Sequence, residues 1–133
     1  MTRNSLLYLL GAAAAAVLPG CSEKYEQKDL GPDSPQGRQV RRMVDSLRAG
    51  GTGNLDAAMA AQAVSGLDAA QSDAMRATLT ELIQADAVQL VDLYLHGEKV
   101  YRASFRLTAG DQTRDLFMLL VETGGEIRWA GRN

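Results

Sequence analysis

Apolar positions along this chain change their spacing three times, and each change predicts a different kind of element. Leu6 to Leu18 is almost unbroken apolar sequence, interrupted only by Tyr8 and Gly11. Ser22 to Asp33 is polar and charged without periodicity, which predicts a flexible tether. From Ser34 the spacing becomes helical. Val40, Met43, Val44 and Leu47 fall at i, i+3, i+4 and i+7 and form one apolar face. Ser34 can cap this helix, Pro35 suits its first turn, and Gly50-Gly51 ends it. Asn54 is a suitable cap for a short second helix from Leu55 to about Val64, broken by Ser65-Gly66. Its Ala57, Ala58, Ala60 and Ala61 permit close approach of another element. A third helix is expected from Asp68 or Ser72 to Ala85, with Met75, Leu79, Leu82 and Ile83 as its buried stripe.

From Ala87 the spacing drops to two. Val88 to Leu95 is rich in strand formers, and Gly97-Glu98 turns the chain. Tyr101, Ala103, Phe105 and Leu107 alternate with Arg102, Ser104 and Arg106, the pattern of a strand with one wet face. Gly110-Asp111 is the next turn. Leu116 to Val121 is continuously apolar, which predicts a central strand covered on both faces. Gly124-Gly125 leads to a short last strand, Ile127 to Trp129. Short loops between successive strands imply an antiparallel meander, and helices followed by strands imply an α+β domain with its helices on one face of the sheet. The Val40–Leu47 helix, the stretch Gly50 to Ala58 ("GGTGNLDAA") and the meander ending at Trp129 together resemble nuclear-transport-factor-2-like and cystatin-like domains. That resemblance implies helices packed in the concave side of a curved antiparallel sheet of about four strands. The expected organisation is a leader over residues 1–20, a lipidated cysteine and tether over 21–33, and a single α+β domain over 34–133.

The leader changes the functional picture. One positive charge in Met1-Thr2-Arg3-Asn4 precedes the apolar run, and that run is shorter than the roughly 20 residues a spanning helix needs. It ends in Leu18-Pro19-Gly20-Cys21, where Cys21 is the chain's single cysteine. Leu18, Gly20 and Cys21 resemble the lipobox of bacterial lipoproteins, although Pro19 departs from the usual small residue. The resemblance implies cleavage before Cys21, acylation of its sulfur, and tethering to the membrane of a bacterial envelope. Ser22 in the following position implies the outer membrane, facing the periplasm. One acyl chain holds a protein only marginally, whereas several hold it firmly. Acylation would also leave the domain without any disulfide, so it must stand on packing.

Charge and composition then narrow the function. The chain of 133 residues carries 14 basic and 16 acidic side chains, net −2. Nothing here offers the basic footprint of a nucleic-acid binder. A single histidine, His96, excludes a multi-histidine metal site, and no metal or cofactor is expected. Gly50-Gly51-Thr52-Gly53 lacks the Lys-Ser/Thr of a phosphate-binding loop and reads as a linker.

Three clusters remain as candidates. Arg38, Arg41, Arg42 and Arg48 interleave with the first apolar face, either as a solvated surface or as a site for anionic headgroups or phosphate. Arg102, Arg106 and Arg114 could meet across the Gly110 turn as an anion-binding or docking patch, or pair with Asp92 and Asp115 as an ordinary polar sheet face. Some enzymes of the resembled fold use an Asp–His dyad in the cavity, a role that Asp92, Asp115 and His96 could take. The expected function is a non-enzymatic envelope lipoprotein that binds a protein partner or small ligand. The alternatives are an enzyme using that cavity and a passive periplasmic structural protein.

Overall fold

Ser34 and Pro35 start the first helix where their chemistry predicts. The Ser34 hydroxyl accepts from the Gly37 N–H (3.0 Å) and donates to the Gly31 carbonyl (2.9 Å). The computed structural model describes residues 27–133, and three helices occur there: α1 (Pro35–Gly50), α2 (Leu55–Gln62) and α3 (Ala69–Gln84). Asp68 caps α3 through a reciprocal box with Gln71 (2.8 and 3.0 Å), which decides between the two starts the sequence offered. Asn54 makes no side-chain cap. A 3₁₀ turn over Thr52–Asn54 leads into α2 instead.

Five strands follow one another in a single antiparallel sheet, in chain order: β1 (Gln27–Asp29), β2 (Ala87–His96), β3 (Val100–Ala109), β4 (Gln112–Thr123) and β5 (Glu126–Arg132). The expectation of four strands missed β1. That strand lies inside the polar stretch read as tether, so the folded unit reaches back at least to Gln27 rather than starting at Ser34. All three β1 residues are exposed, which is why no apolar pattern marked them. Their backbone pairs with the end of β2, Gln27 opposite His96 and Asp29 opposite Tyr94.

All three helices lie on one face of the sheet. Val40, Val44 and Leu47 of α1 and Met75, Leu79 and Leu82 of α3 are buried against Leu93, Phe105, Leu116, Met118 and Leu120 of the strands. Phe105 and Trp129 meet at the centre, with rings 6.0 Å apart and tilted 55°. Among the described residues the opposite face carries no helix. Phe117, Leu119 and Val121 are therefore only half-buried, and β4 is covered on one side, not on both as its unbroken apolar run suggested. The free edge of β5 is partly closed by Ala63 and Val64, whose N–H bonds the Trp129 carbonyl at 2.9 Å.

Gly37 fixes how closely α1 follows β1. A Cβ there would sit 2.4 Å from the Pro32 carbonyl oxygen. Glycine inside a helix ordinarily costs about 1 kcal/mol relative to alanine. Here the close approach reverses that preference. Gly37→Ala should lower stability by about 1–3 kcal/mol, the usual cost of overpacking. Gly53→Ala, which meets nothing within 4 Å, should leave the melting temperature nearly unchanged. Thermal denaturation of the two variants side by side checks this; a more stable Gly37→Ala protein would overturn it.

Candidate functional site

α1 and β2 run alongside each other in opposite directions, and a cleft lies between them. At one end Leu30 and Gly31 donate to the Leu93 carbonyl (2.9 and 3.2 Å), and the chain turns through Pro32 and Asp33 into α1. At the other end Arg48 closes the pair. Its guanidinium donates to the carbonyls of Leu82 (2.6 Å), Ala85 (2.9 Å) and Asp86 (3.2 Å), where α3 ends and β2 begins. From Pro35 to Arg48 a helix rises about 20 Å, and from Ala87 to Leu93 a strand rises about the same. The two elements are thus pinned at both ends and matched in length.

The cleft has a volume of about 660 Å³. Val44, Val88, Leu90 and Phe105 give it an apolar floor, and Arg38, Arg41, Arg42, Asp33 and Asp45 form its charged rim. The rim residues of α1 recur at i, i+3, i+4 and i+7, so they form one stripe. Arg38 donates to the Asp33 carbonyl (2.6 Å), and Arg41 pairs with the Asp33 carboxylate at 3.4 Å. Both side chains of that pair are well exposed, so it holds them only weakly. Among the described residues, Arg42 has no hydrogen-bond or ion-pair partner. The cleft is therefore locally positive on a chain whose net charge is negative.

The four arginines of the first helix thus divide. Arg48 is structural. Arg38, Arg41 and Arg42 face the cleft. Their helical spacing was visible in the sequence, but the strand edge they overhang was not.

The other sequence candidates lie elsewhere. Asp92, Tyr94, His96, Arg102, Arg106 and Asp115 occupy the helix-free face of the sheet, as their alternation with buried Leu93, Tyr101, Ala103, Phe105 and Leu116 requires. Arg106 pairs with Asp115 at 3.5 Å, the cross-strand pairing that an ordinary polar face provides. Arg102 lies opposite Tyr94, and its guanidinium sits 4.9 Å from the centre of the Phe117 ring. The Arg102 Nε is buried without a partner among the described residues.

Arg114 does not join them. It lies opposite Leu107, a core residue, and so emerges on the helix side. There it binds Glu81 of α3 at 2.6 Å, and Glu81 also takes Arg132 at 2.7 Å. The three-arginine patch is therefore corrected to two arginines on one face and one on the other. A smaller cleft of about 230 Å³ lies beside this Glu81 cluster. Neither cleft is lined by Asp92, His96 or Asp115, which lie on the sheet face opposite the helix–sheet interior that a dyad cavity would need. The leader and Cys21 lie outside the described residues.

Burial shapes the titration of the sheet. The Tyr101 hydroxyl donates to Glu122 (2.7 Å), and burial together with that carboxylate pushes its pKa up to about 12. Burial raises Tyr94 as well, helped by the charges of Asp92 and Asp29. Among the described residues no group of acidic, histidine or cysteine side chains is arranged to hold a metal, and no helix is long and apolar enough to cross a membrane. Compared with protein-family models, curated proteins and solved structures, the chain matches none. Its function must therefore be argued from geometry.

His96 provides a check on the outer face. Burial, and secondarily the Arg102 charge, lower its pKa below the ordinary 6.5. The imidazole of the folded protein should titrate below that value by NMR, and Arg102→Gln should bring it part of the way back. Because the unfolded chain takes up this proton first, folding stability should be full above pH 6.5 and decline as pH falls below it. A midpoint at or above 6.5 would contradict the packing of this face.

Proposed function

We propose that this protein is a non-enzymatic binding module of a bacterial envelope, held to the membrane through a lipid on Cys21, and that the α1–β2 cleft is its ligand site. The observation that carries the reading is the composition of that cleft. It combines an apolar floor with an arginine rim on an otherwise acidic chain. Such a surface suits a protein segment or small ligand that presents negative charge beside apolar groups. Among the described residues the cleft is lined by no histidine, cysteine or serine, and its carboxylate Asp33 is engaged with Arg41, which favours a binding role. Helices gathered on one side of an antiparallel meander are also what kinship with nuclear-transport-factor-2-like or cystatin-like domains would require. We include that kinship in the proposal.

Two experiments test the two halves of this reading. Cys21→Ser should move the protein out of the membrane fraction of the producing cell; if the variant fractionates with membranes as the parent does, the lipid anchor is wrong. For the cleft, the detergent-solubilised full chain is titrated with two anionic probes, decanoate and the blocked pentapeptide acetyl-Asp-Val-Glu-Val-Asp-amide. Amide shifts should centre on Arg41, Arg42, Val44, Val88 and Leu90. Arg42→Glu, which breaks no hydrogen bond or ion pair among the described residues, should weaken binding about five- to tenfold, the effect of losing and reversing one exposed charge. If neither probe shifts these amides, the cleft is not the ligand site.

A further inference from the structure

We infer that the cleft takes its ligand as an added β-strand: an extended, acidic peptide segment pairs with the open half of β2 beneath the arginines of α1. This rests on the reading of the cleft as the ligand site and specifies the kind of partner.

The argument starts from which backbone groups of β2 are already used. Peptide groups along a strand point alternately to its two sides. The Leu93 carbonyl accepts from Leu30 and Gly31, so Leu93 faces the edge that β1 covers. At the other end the Thr108 carbonyl accepts from Asp86 (2.8 Å), so Thr108, and by alternation Arg106, face β2. Their partners Ala87 and Gln89 therefore face β3. Val88 and Leu90 must face outward. β1 reaches only to Tyr94, and neither Val88 nor Leu90 has an outward hydrogen bond among the described residues.

The covered and open halves of the edge meet at the register shift between Leu90 and Asp92. The open half, Ala87 to Val91, is five residues long, or about 16 Å, room for a strand of similar length. Alternate side chains of an added strand would point inward, toward the Val44 and Arg41 side of the cleft, and outward to solvent. Main-chain bonds then supply affinity and the lining of the groove supplies selection.

Charge chooses among occupants. The open segment Ala87-Val88-Gln89-Leu90-Val91 is itself uncharged and is overhung by Arg38, Arg41 and Arg42. A second copy pairing edge to edge would bring together two rims that each carry three arginines against Asp33 and Asp45, a net positive charge on both sides. An acidic segment instead meets opposite charge, including Arg42, which has no partner among the described residues. A fatty anion would satisfy the rim and floor while leaving the Val88 and Leu90 peptide groups unused.

Hydrogen exchange of individual amides reads this directly. In the free full chain the Val88 and Leu90 amides should exchange quickly and the Gln89 amide slowly. Saturation with acetyl-Asp-Val-Glu-Val-Asp-amide should slow Val88 and Leu90 about tenfold or more. N-methylation of the peptide at alternate residues should weaken binding about tenfold in one methylation register and little in the other, because only alternate peptide N–H groups face β2. Peptide binding that shifts the cleft amides without slowing Val88 and Leu90 would overturn strand addition while leaving the site intact. Binding of decanoate alone would overturn the peptide as ligand. Slowing of the same amides by raised protein concentration, without peptide, would identify a second copy as the occupant and overturn the proposal. If neither probe reaches the cleft, both this inference and the site beneath it fail.

Discussion

The indole N–H of Trp129 must find a partner inside an apolar core, and the way it does so arranges the helices. Trp129 is fully buried, and its N–H donates to the side-chain oxygen of Gln62 at 2.9 Å. The other end of that amide donates to the Met43 carbonyl of α1 at 3.1 Å. One side chain at the end of α2 thus joins the last strand to the first helix. A buried donor without a partner costs more than an ordinary hydrogen bond supplies, so α2 is held against β5. Arg128 reinforces this by donating to the Ala61 and Ala63 carbonyls. Five strands about 4.8 Å apart offer width for two helices side by side. With α2 and α3 packed on the β5 side, α1 is left over β2 at the far edge. The cleft follows from that division of the sheet.

Most of the architecture was legible because burial imposes periodicity. α1 and α3 carry apolar residues at helical spacing and begin at side-chain caps, so both were placed closely. β3 alternates because one face packs and the other is wet, and β2 does so on either side of the register shift at Leu90/Asp92. What was not legible had no periodic signal or depended on long-range geometry. β1 is polar and is held by backbone pairing, which does not depend on side-chain type. Phe117, Leu119 and Val121 read as doubly covered, although only one face of β4 meets helices. Arg114 was grouped with Arg102 and Arg106 by proximity to the turn, but the residue opposite it is Leu107, and that register puts it on the helix face. The arginine stripe of α1 was visible as a stripe. Its meaning depended on which strand edge lay beneath it, which only the tertiary arrangement decides.

The placement of Asp92, His96 and Asp115 bears on the dyad that the sequence suggested. General acid–base catalysis needs groups within hydrogen-bond reach of one another and of an enclosed substrate. Asp92 and Asp115 lie two strands apart on the sheet face without helices, and Asp115 is paired with Arg106. Burial and the Arg102 charge disfavour a proton on His96. The enclosed side of the sheet is filled by Phe105, Met118, Leu120 and Trp129. Asp92, His96 and Asp115 are thus not gathered around an enclosed space on the helix side of the sheet.

An open strand edge is ordinarily a hazard, because it templates pairing with any other chain. This domain treats the two halves of the β2 edge differently. β1 and the Leu30–Gly31 turn cover the half near His96, and a register shift ends that covered stretch. Beyond the shift the edge is overhung by a charged helix. If protection were the whole purpose, extending β1 by a few residues would achieve it with backbone bonds alone. The chain instead turns away at Pro32, and the close fit of Gly37 against the Pro32 carbonyl holds it there. Arginines above an uncharged edge repel a like copy and leave room for a strand of opposite charge. Under the proposed strand addition, the same three side chains would both guard the edge against self-association and select the segment admitted to it.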